Sequence, residues 1–335
     1  MKIALDAFGG DFAPQATIEG CVQALNAYND ISVVLCGDES AIKAELKNHT
    51  YPQDRVEILH APEIITLHES PTIAIKRKKE SSMVKGLELL RDKQVDCFVS
   101  AGSTGALLAG ATLIVRRLKG VKRPALATLL PTLGGCMMLL DCGANVDSKP
   151  EYLVQYALMG DAYMRQVMQV NDPKVGLLNN GEEEGKGNAM TKQAYTLLKD
   201  APIGFAGNCE ARDVLSGKFD VVVCDGFDGN IVLKHTEGLA ETLVRMLKKE
   251  LMADTRSKLG ALLAKPAFRR FSKQMDYTEY GGAPLLGIDG NVIKAHGSSN
   301  AKAFCSAINQ ARVLIQGHVG QMIADGVAQL PEMED

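Results

Sequence analysis

Cys97-Phe-Val-Ser-Ala-Gly-Ser-Thr-Gly-Ala-Leu-Leu-Ala-Gly110 reads as three things in fourteen residues. An apolar run suited to a strand ends in a turn of small residues, Ala101–Gly105, and a helical pattern follows. The turn places Ser103 and Thr104 between Gly102 and Gly105, where a helix should begin. Helix N-termini carry unsatisfied N–H donors and the positive end of a dipole, so the turn suits a bound phosphate. The same hydroxyls also suit plain helix N-caps.

Outward from this stretch the pattern repeats. Strands are expected at Lys2–Leu5, Ser32–Cys36, Val56–Leu59, Cys97–Ser100, Met137–Asp141, Lys174–Leu178, Phe219–Cys224 and Val292–Ala295, with helical stretches such as Ala16–Tyr28, Ala41–Leu46, Met83–Arg91, Ala106–Leu118 and Tyr152–Gln169 between them. Such alternation predicts a three-layer α/β/α sandwich with a mainly parallel sheet, as one large domain over residues 1–335. Six of the strand ends run into loops that combine Gly with Asp, Asn, Ser, His or Lys. These are Asp6–Asp11, Ala101–Gly105, Asp141–Asp147, Asn179–Asn188, Asp225–Asn230 and His296–Asn300. Ligands of open α/β sheets bind at the carboxyl ends of strands, so six loops of this kind predict one shared site.

Composition narrows the class. The chain is 46% hydrophobic and 23% charged, as ordinary globular proteins are. A net charge of −3, no Trp and 5% aromatic residues give neither an electrostatic nor a stacking basis for nucleic-acid binding. Eight cysteines occur without a Cys-x-x-Cys pair, in mostly apolar runs, and are expected to be buried free thiols in a reducing cytoplasm. The opening Met1–Asp6 is too short an apolar run for a signal peptide, and the charge-free window Cys97–Val115 splits into strand, turn and helix and is not expected to span a bilayer. Two nucleotide motifs fail on spacing. Gly102-x-x-Gly105 lacks the first glycine pair of a dinucleotide fingerprint, and Gly181-Glu-Glu-Glu-Gly185-Lys186-Gly187 is one residue short of a Walker A loop and acidic where phosphates would sit.

The ordered series Asp6-Ala-Phe-Gly-Gly-Asp11, Arg77-Lys-Lys-Glu-Ser-Ser-Met83, Ser100–Ala106, Asp141-Cys-Gly-Ala-Asn145, Asn180–Gly187, Asp225-Gly-Phe-Asp-Gly-Asn230, Tyr280-Gly-Gly-Ala283 and Lys294–Ser299 resembles the bacterial phosphate acyltransferase family PlsX, from Ile3 to about residue 320. The chain departs from the family's pattern at Phe8, where Met is expected, at Ser103, where Asn is expected, and at Ala211, where Gly is usual. The resemblance implies an architecture related to phosphotransacetylases and isopropylmalate dehydrogenases. It also implies cofactor-free transfer of a long-chain acyl group from acyl carrier protein to inorganic phosphate, giving acyl phosphate for phospholipid synthesis. A homodimer, cytoplasmic and peripherally bound to membrane, is implied as well. Two other readings stay open: a phosphotransacetylase-like enzyme using coenzyme A, and a non-catalytic scaffold that binds carrier protein at a membrane.

Phosphate is already an oxygen nucleophile at neutral pH, so the chemistry asks for positioning, charge neutralisation and oxyanion stabilisation. Lys186 is the first candidate cation, or else a solvated lysine paired with Glu182–Glu184. Asn230 is a candidate donor to the thioester carbonyl, and Asp225 a candidate to orient Lys186 or Asn230; the alternative for both is an ordinary Asp-Gly turn with Asx hydrogen bonds. Gly102, Ser103, Thr104, Gly105, His296, Gly297, Ser298 and Ser299 are expected around phosphate, with Asp6, Asp11, Asp141 and Asn145 in support and no metal. Lys76, Arg77, Lys78 and Lys79 form a cationic run, either a solvated face or a dock for an acidic carrier protein. Residues 256–280 form a basic, apolar excursion: six cations and no acid lie between Arg256 and Lys273, with Leu259, Leu262 and Leu263 at helical spacing and Pro266 interrupting. This suits a short helix on an anionic membrane surface, or one packed on the body or on a second subunit.

Overall fold

A computed structural model describes residues 1–275 and 281–330, with the side chains of 272–275 outside that description. Strands follow in the order β1 (Lys2–Asp6), β2 (Ser32–Gly37), β3 (Val56–His60), β4 (Cys97–Ser100), β5 (Ala125–Leu126), β6 (Thr128–Thr132), β7 (Gly135–Leu140), β8 (Val175–Asn179), β9 (Phe205–Glu210), β10 (Val221–Val223), β11 (Ala283–Leu286) and β12 (Asn291–Lys294). They divide between two sheets instead of one. Seven form the order β3-β2-β1-β4-β12-β11-β5 and five the order β6-β7-β10-β8-β9. The chain passes from the first to the second at Ala127, between β5 and β6.

The central strands β1, β2, β4, β12 and β7, β10, β8 pair in parallel. Helices cover such strands on both faces, and Cys97–Ser100 and Val221–Val223 are accordingly buried at every position. The four strands that the sequence pattern does not predict are short or polar or contain proline. β5 has two residues, β6 contains Pro131 and β11 Pro284, and β9 carries Gly207 at a φ of 100°. All but β11 lie at sheet edges, where an absent N–H donor is tolerated. One contiguous core joins Ile3, Leu5 and Val99 of the first sheet to Met138, Leu140 and Val221 of the second through Tyr156 and Tyr163 of the helix Pro150–Gln166. Six of the eight cysteines are buried and the other two half-buried, all as free thiols.

Two helices depart from expectation. The pattern over Ala106–Leu118 is an α-helix only for Thr104–Gly110, then a π turn for Ala111–Val115 that stops at Arg116. Pro266 does not break its segment, since one helix runs Thr255–Met275. It folds back on the helix Gly226–Leu251 after three residues, and all side chains from 241 to 249 are exposed, so the pair stands out as an arm. The stretch 276–280, with Tyr280 of the motif above, lies outside the described residues. Among the described residues no helix is long and apolar enough to cross a membrane.

Candidate active site

Register sets the first layer of the site. Lys294 pairs with Ser100, and Leu5 with Val99, so Asp6, Ser100 and Lys294 end three adjacent parallel strands in one row. All three are buried. Ser100 Oγ donates to Asp6 Oδ2 at 2.7 Å and accepts from the Gly102 N–H at 3.0 Å, which ties the turn to the strand end. Burial pushes the Asp6 carboxyl up, against hydrogen bonds from Ser82, Ser100 and the backbone at Phe8 and Gly9. Burial also pulls the Lys294 ammonium down to about 8, with Lys234 adding to the fall while Asp6 and Asp11 oppose it. Lys294 Nζ donates to the carbonyls of Ala101 and Ala295.

Beside this row a cavity of about 340 Å3 opens between the two sheets. Lys294, His296 and Thr104 line it from the first sheet, and Asn230, Lys234 and Glu237 from the helix Gly226–Leu251, with Leu126, Leu129 and Leu233 forming an apolar wall. Residues 230, 234 and 237 share one helix face by spacing. Lys234 Nζ pairs with Glu237 at 2.6 Å. The Asn230 amide makes no hydrogen bond among the described residues and lies against Gly143, whose φ of 103° only glycine takes freely. At the rim the Ser298 N–H points at His296 Nδ1 (3.3 Å), with Ser298 Oγ 2.8 Å away, so the neutral ring carries its proton on Nε2, toward the open side. Burial and the charge of Lys234 lower the His296 pKa, which favours that neutral form.

The helix Gly226–Leu251 is held in place by two carboxylates. Asp225 caps it, accepting from the Phe227 N–H at 2.8 Å and from the Ser148 N–H at 2.8 Å, so it orients Asn230 only through the helix start. Asp141, fully buried, accepts from the backbone of Leu126, Ala144 and Asn145 and from the Asn145 amide, which also donates to the Pro124 carbonyl at 2.7 Å. Gly229 lets the helix approach, because a Cβ there would stand 1.9 Å from the Asp141 carbonyl oxygen. Asp141 and Asn145 thus support the wall of the cavity.

The predicted phosphate-site residues separate. Thr104 and His296 face the larger cavity, while Asp6, Asp11, Gly102, Ser103 and Gly297 line a smaller one of about 160 Å3 on the other side of the 102–104 turn. Ser103 acts as an N-cap, accepting from the Ala106 N–H at 3.4 Å, and Gly105 packs under Pro71. Among the described residues Ser298 and Ser299 cap no helix; Asn300 caps the next one, Ala301–Gln316. The structure does not bring Lys186 into either cavity. Its loop follows β8, two strands from β7 and so about 10 Å across the sheet. The side chain is 49% exposed, with Nζ 3.9 Å from Glu183. Sequence reasoning missed Lys294 and Lys234. The available signals were a lysine closing a buried strand just before His296-Gly297, and a lysine four residues beyond Asn230.

The family of fatty acid synthesis proteins matches the chain over residues 1–322. A phosphate acyltransferase of Clostridium botulinum (strain ATCC 19397 / Type A) is 51% identical over 332 residues, 99% of each chain. The chain belongs to the phosphate acyltransferase family. A phosphate acyltransferase of Alkaliphilus oremlandii is 48% identical over 334 residues, covering 100% of this chain and 99% of its own. Among solved structures a phosphotransacetylase from Streptococcus pyogenes superposes with a TM-score of 0.62 at 16% identity, over 94% of each chain. A 4-hydroxythreonine-4-phosphate dehydrogenase from Klebsiella pneumoniae does so at 0.54 and 14%, over 96% of this chain and 99% of its own. These likenesses place the fold with phosphotransacetylases and a dehydrogenase, the architecture expected. Membership of the family makes the chain a transferase of fatty-acid and phospholipid synthesis.

Proposed function

We propose that the protein transfers a long-chain acyl group from acyl-acyl carrier protein to inorganic phosphate at the cavity between the sheets. The observation that carries this reading is Lys294, a buried ammonium beside Asp6 that opens onto a cavity with one polar and one apolar side. A phosphate oxygen attacks the thioester carbonyl carbon, the C–S bond breaks, and the acyl phosphate leaves with the former phosphate oxygen as its bridge. Hydrogen phosphate brings one proton and the departing thiolate needs one, so no net base or acid is consumed. A lysine near pH 8 is matched to a thiol of ordinary pKa about 8.5, and passes that proton on as the leaving group departs. Lys234, Thr104 and the Nε2–H of His296 hold phosphate, and the Asn230 amide donates to the developing oxyanion. Leu126, Leu129 and Leu233 receive the start of the acyl chain.

Outside the cavity the reading extends to two surfaces. Lys76, Arg77 and Lys79 are exposed and offer cations to an acidic carrier protein, while Lys78 is spent on Glu69 (2.8 Å) and the Ile64 carbonyl (2.6 Å). On the arm, Leu259, Leu262 and Leu263 are exposed among cations and would rest on an anionic membrane, while Leu239, Leu243 and Leu247 would meet a second copy of the chain. Purified protein mixed with long-chain acyl-carrier protein, with and without phosphate, tests the core of this. Free carrier thiol and acyl phosphate should appear together and only with phosphate. Thiol release alone means a thioesterase, and no reaction leaves the scaffold.

A further inference from the structure

A third cavity, of about 400 Å3, lies behind the wall of the active-site cavity and differs from it in kind. Arg117, Lys122 and Arg123 line it, with Thr112, Asn145 and Tyr152 as the uncharged polar groups and no carboxylate among the described residues. The sequence holds no acidic residue from 97 through 140, yet five cations fall within 116–123. Among the described residues neither Arg117 nor Arg123 makes an ion pair. Two guanidinium groups that line one concavity, with no carboxylate among its described residues, form a site for an anion, and their planar fork matches a phosphate ester.

The backbone is bent to build it. The π turn Ala111–Val115 supplies Thr112, and such widened turns recur at functional sites. It ends at Arg116 with φ 80° and ψ 170°, a region that is essentially glycine's own. Arg117 then bridges to Ile288, and its guanidinium donates to the Lys122 carbonyl, closing the 117–122 turn.

Its place relates it to the thioester site. Leu126 and Gly143 line the active-site cavity, and Pro124 and Ala144 line this one, so the wall between them is about two residues, or roughly 7 Å, of extended chain. An anion held here and tethered by a flexible arm could present a thioester to Lys294. We propose that the Arg117–Arg123 cavity binds the phosphate ester of the thioester donor's pantetheine arm, an inference that rests on the acyl-transfer reading above. Carrier protein and coenzyme A both present this ester.

Kinetics with acyl-carrier protein, acyl-coenzyme A and an acyl-pantetheine without phosphate test the proposal. The double variant R117Q/R123Q should raise KM for phosphate-bearing donors about tenfold or more, as the loss of charge-assisted bonds predicts. KM for the unphosphorylated donor and for inorganic phosphate should stay as in the wild type, and R117K/R123K should recover much of the loss. A rise confined to the carrier protein or to coenzyme A supports the site and names its source. No rise, or an equal rise with the unphosphorylated donor, overturns it. Both arginines are exposed, and an unchanged melting curve will show that the variant folds. Calorimetry with phosphopantetheine and pantetheine gives a readout independent of turnover. Wild type should bind the phosphorylated arm at least tenfold more tightly and the variant should not; equal binding by the wild type overturns the site even where acyl transfer itself succeeds.

Discussion

Lys186 lies in the loop beyond β8 and Lys294 ends β12, and each has glycine within the next three residues. The fold treats them oppositely. Lys186 sits on a loop of the five-stranded sheet, half-exposed, facing Glu183. Lys294 is the last residue of a central strand of the seven-stranded sheet, 9% exposed, between Asp6 and the cavity. Burial at the end of the sheet strand adjusts the proton affinity of Lys294 to the chemistry beside it.

Removing each charge is the largest test of this contrast. Lys294→Met should lower phosphate-dependent thiol release by about 10²–10³-fold, the scale of a lost electrostatic stabiliser, and Lys186→Met by less than about tenfold. The reverse order would make Lys186, the lysine of the family resemblance, the principal cation and break the comparison.

Stability as a function of pH sharpens it. An unfolded lysine titrates near 10.5 and Lys294 near 8, so between those values the unfolded chain holds a proton that the folded one has lost. Stability contributed by this site therefore rises with pH across the window, and the cost of burying the charge is fully present below it. Relative to Lys294→Met, the wild type should gain at most about 3 kcal/mol from pH 8 to 10.5 in urea titrations.

The two buried aspartates offer a third comparison. Asp141→Ala strands the N–H groups of Leu126, Ala144 and Asn145 and should cost about 3 kcal/mol of stability by chemical denaturation. Asp6→Asn removes an anion that raises the Lys294 pKa, so it should move the basic limb of the rate profile to lower pH. A limb that stays in place would separate Asp6 from the lysine. Smallest of all, Leu263→Glu changes a side chain 84% exposed and should leave stability within about 0.5 kcal/mol while weakening flotation with anionic vesicles. An unchanged flotation would return the arm to a purely protein-contacting role.

Much of the fold is readable because buried parallel strands must be apolar throughout. Val221–Val223 and Cys97–Ser100 announce themselves, and the loops after them carry the small and polar residues a site needs. What escapes the pattern is set by pairing. Ala125–Leu126 is a strand only because β11 lies alongside, and Phe205–Glu210 only because β8 does. Asn230 and His296 were recognisable from their glycine-rich motifs, and both reach the cavity. Lys294 was hidden because, in sequence, it is one lysine among many.

By itself, then, the sequence determined the alternation of strands and helices, the strand-end loops and the membership of a family, since these depend on residue type and local order. Only the tertiary structure decided which loops meet. Parallel register aligns Asp6, Ser100 and Lys294, while the split into two sheets sets the cavity beside that row and leaves Lys186 two strands away. The physical reason is that burial, and with it the desolvation that retunes Lys294, belongs to the packed arrangement and to no residue alone.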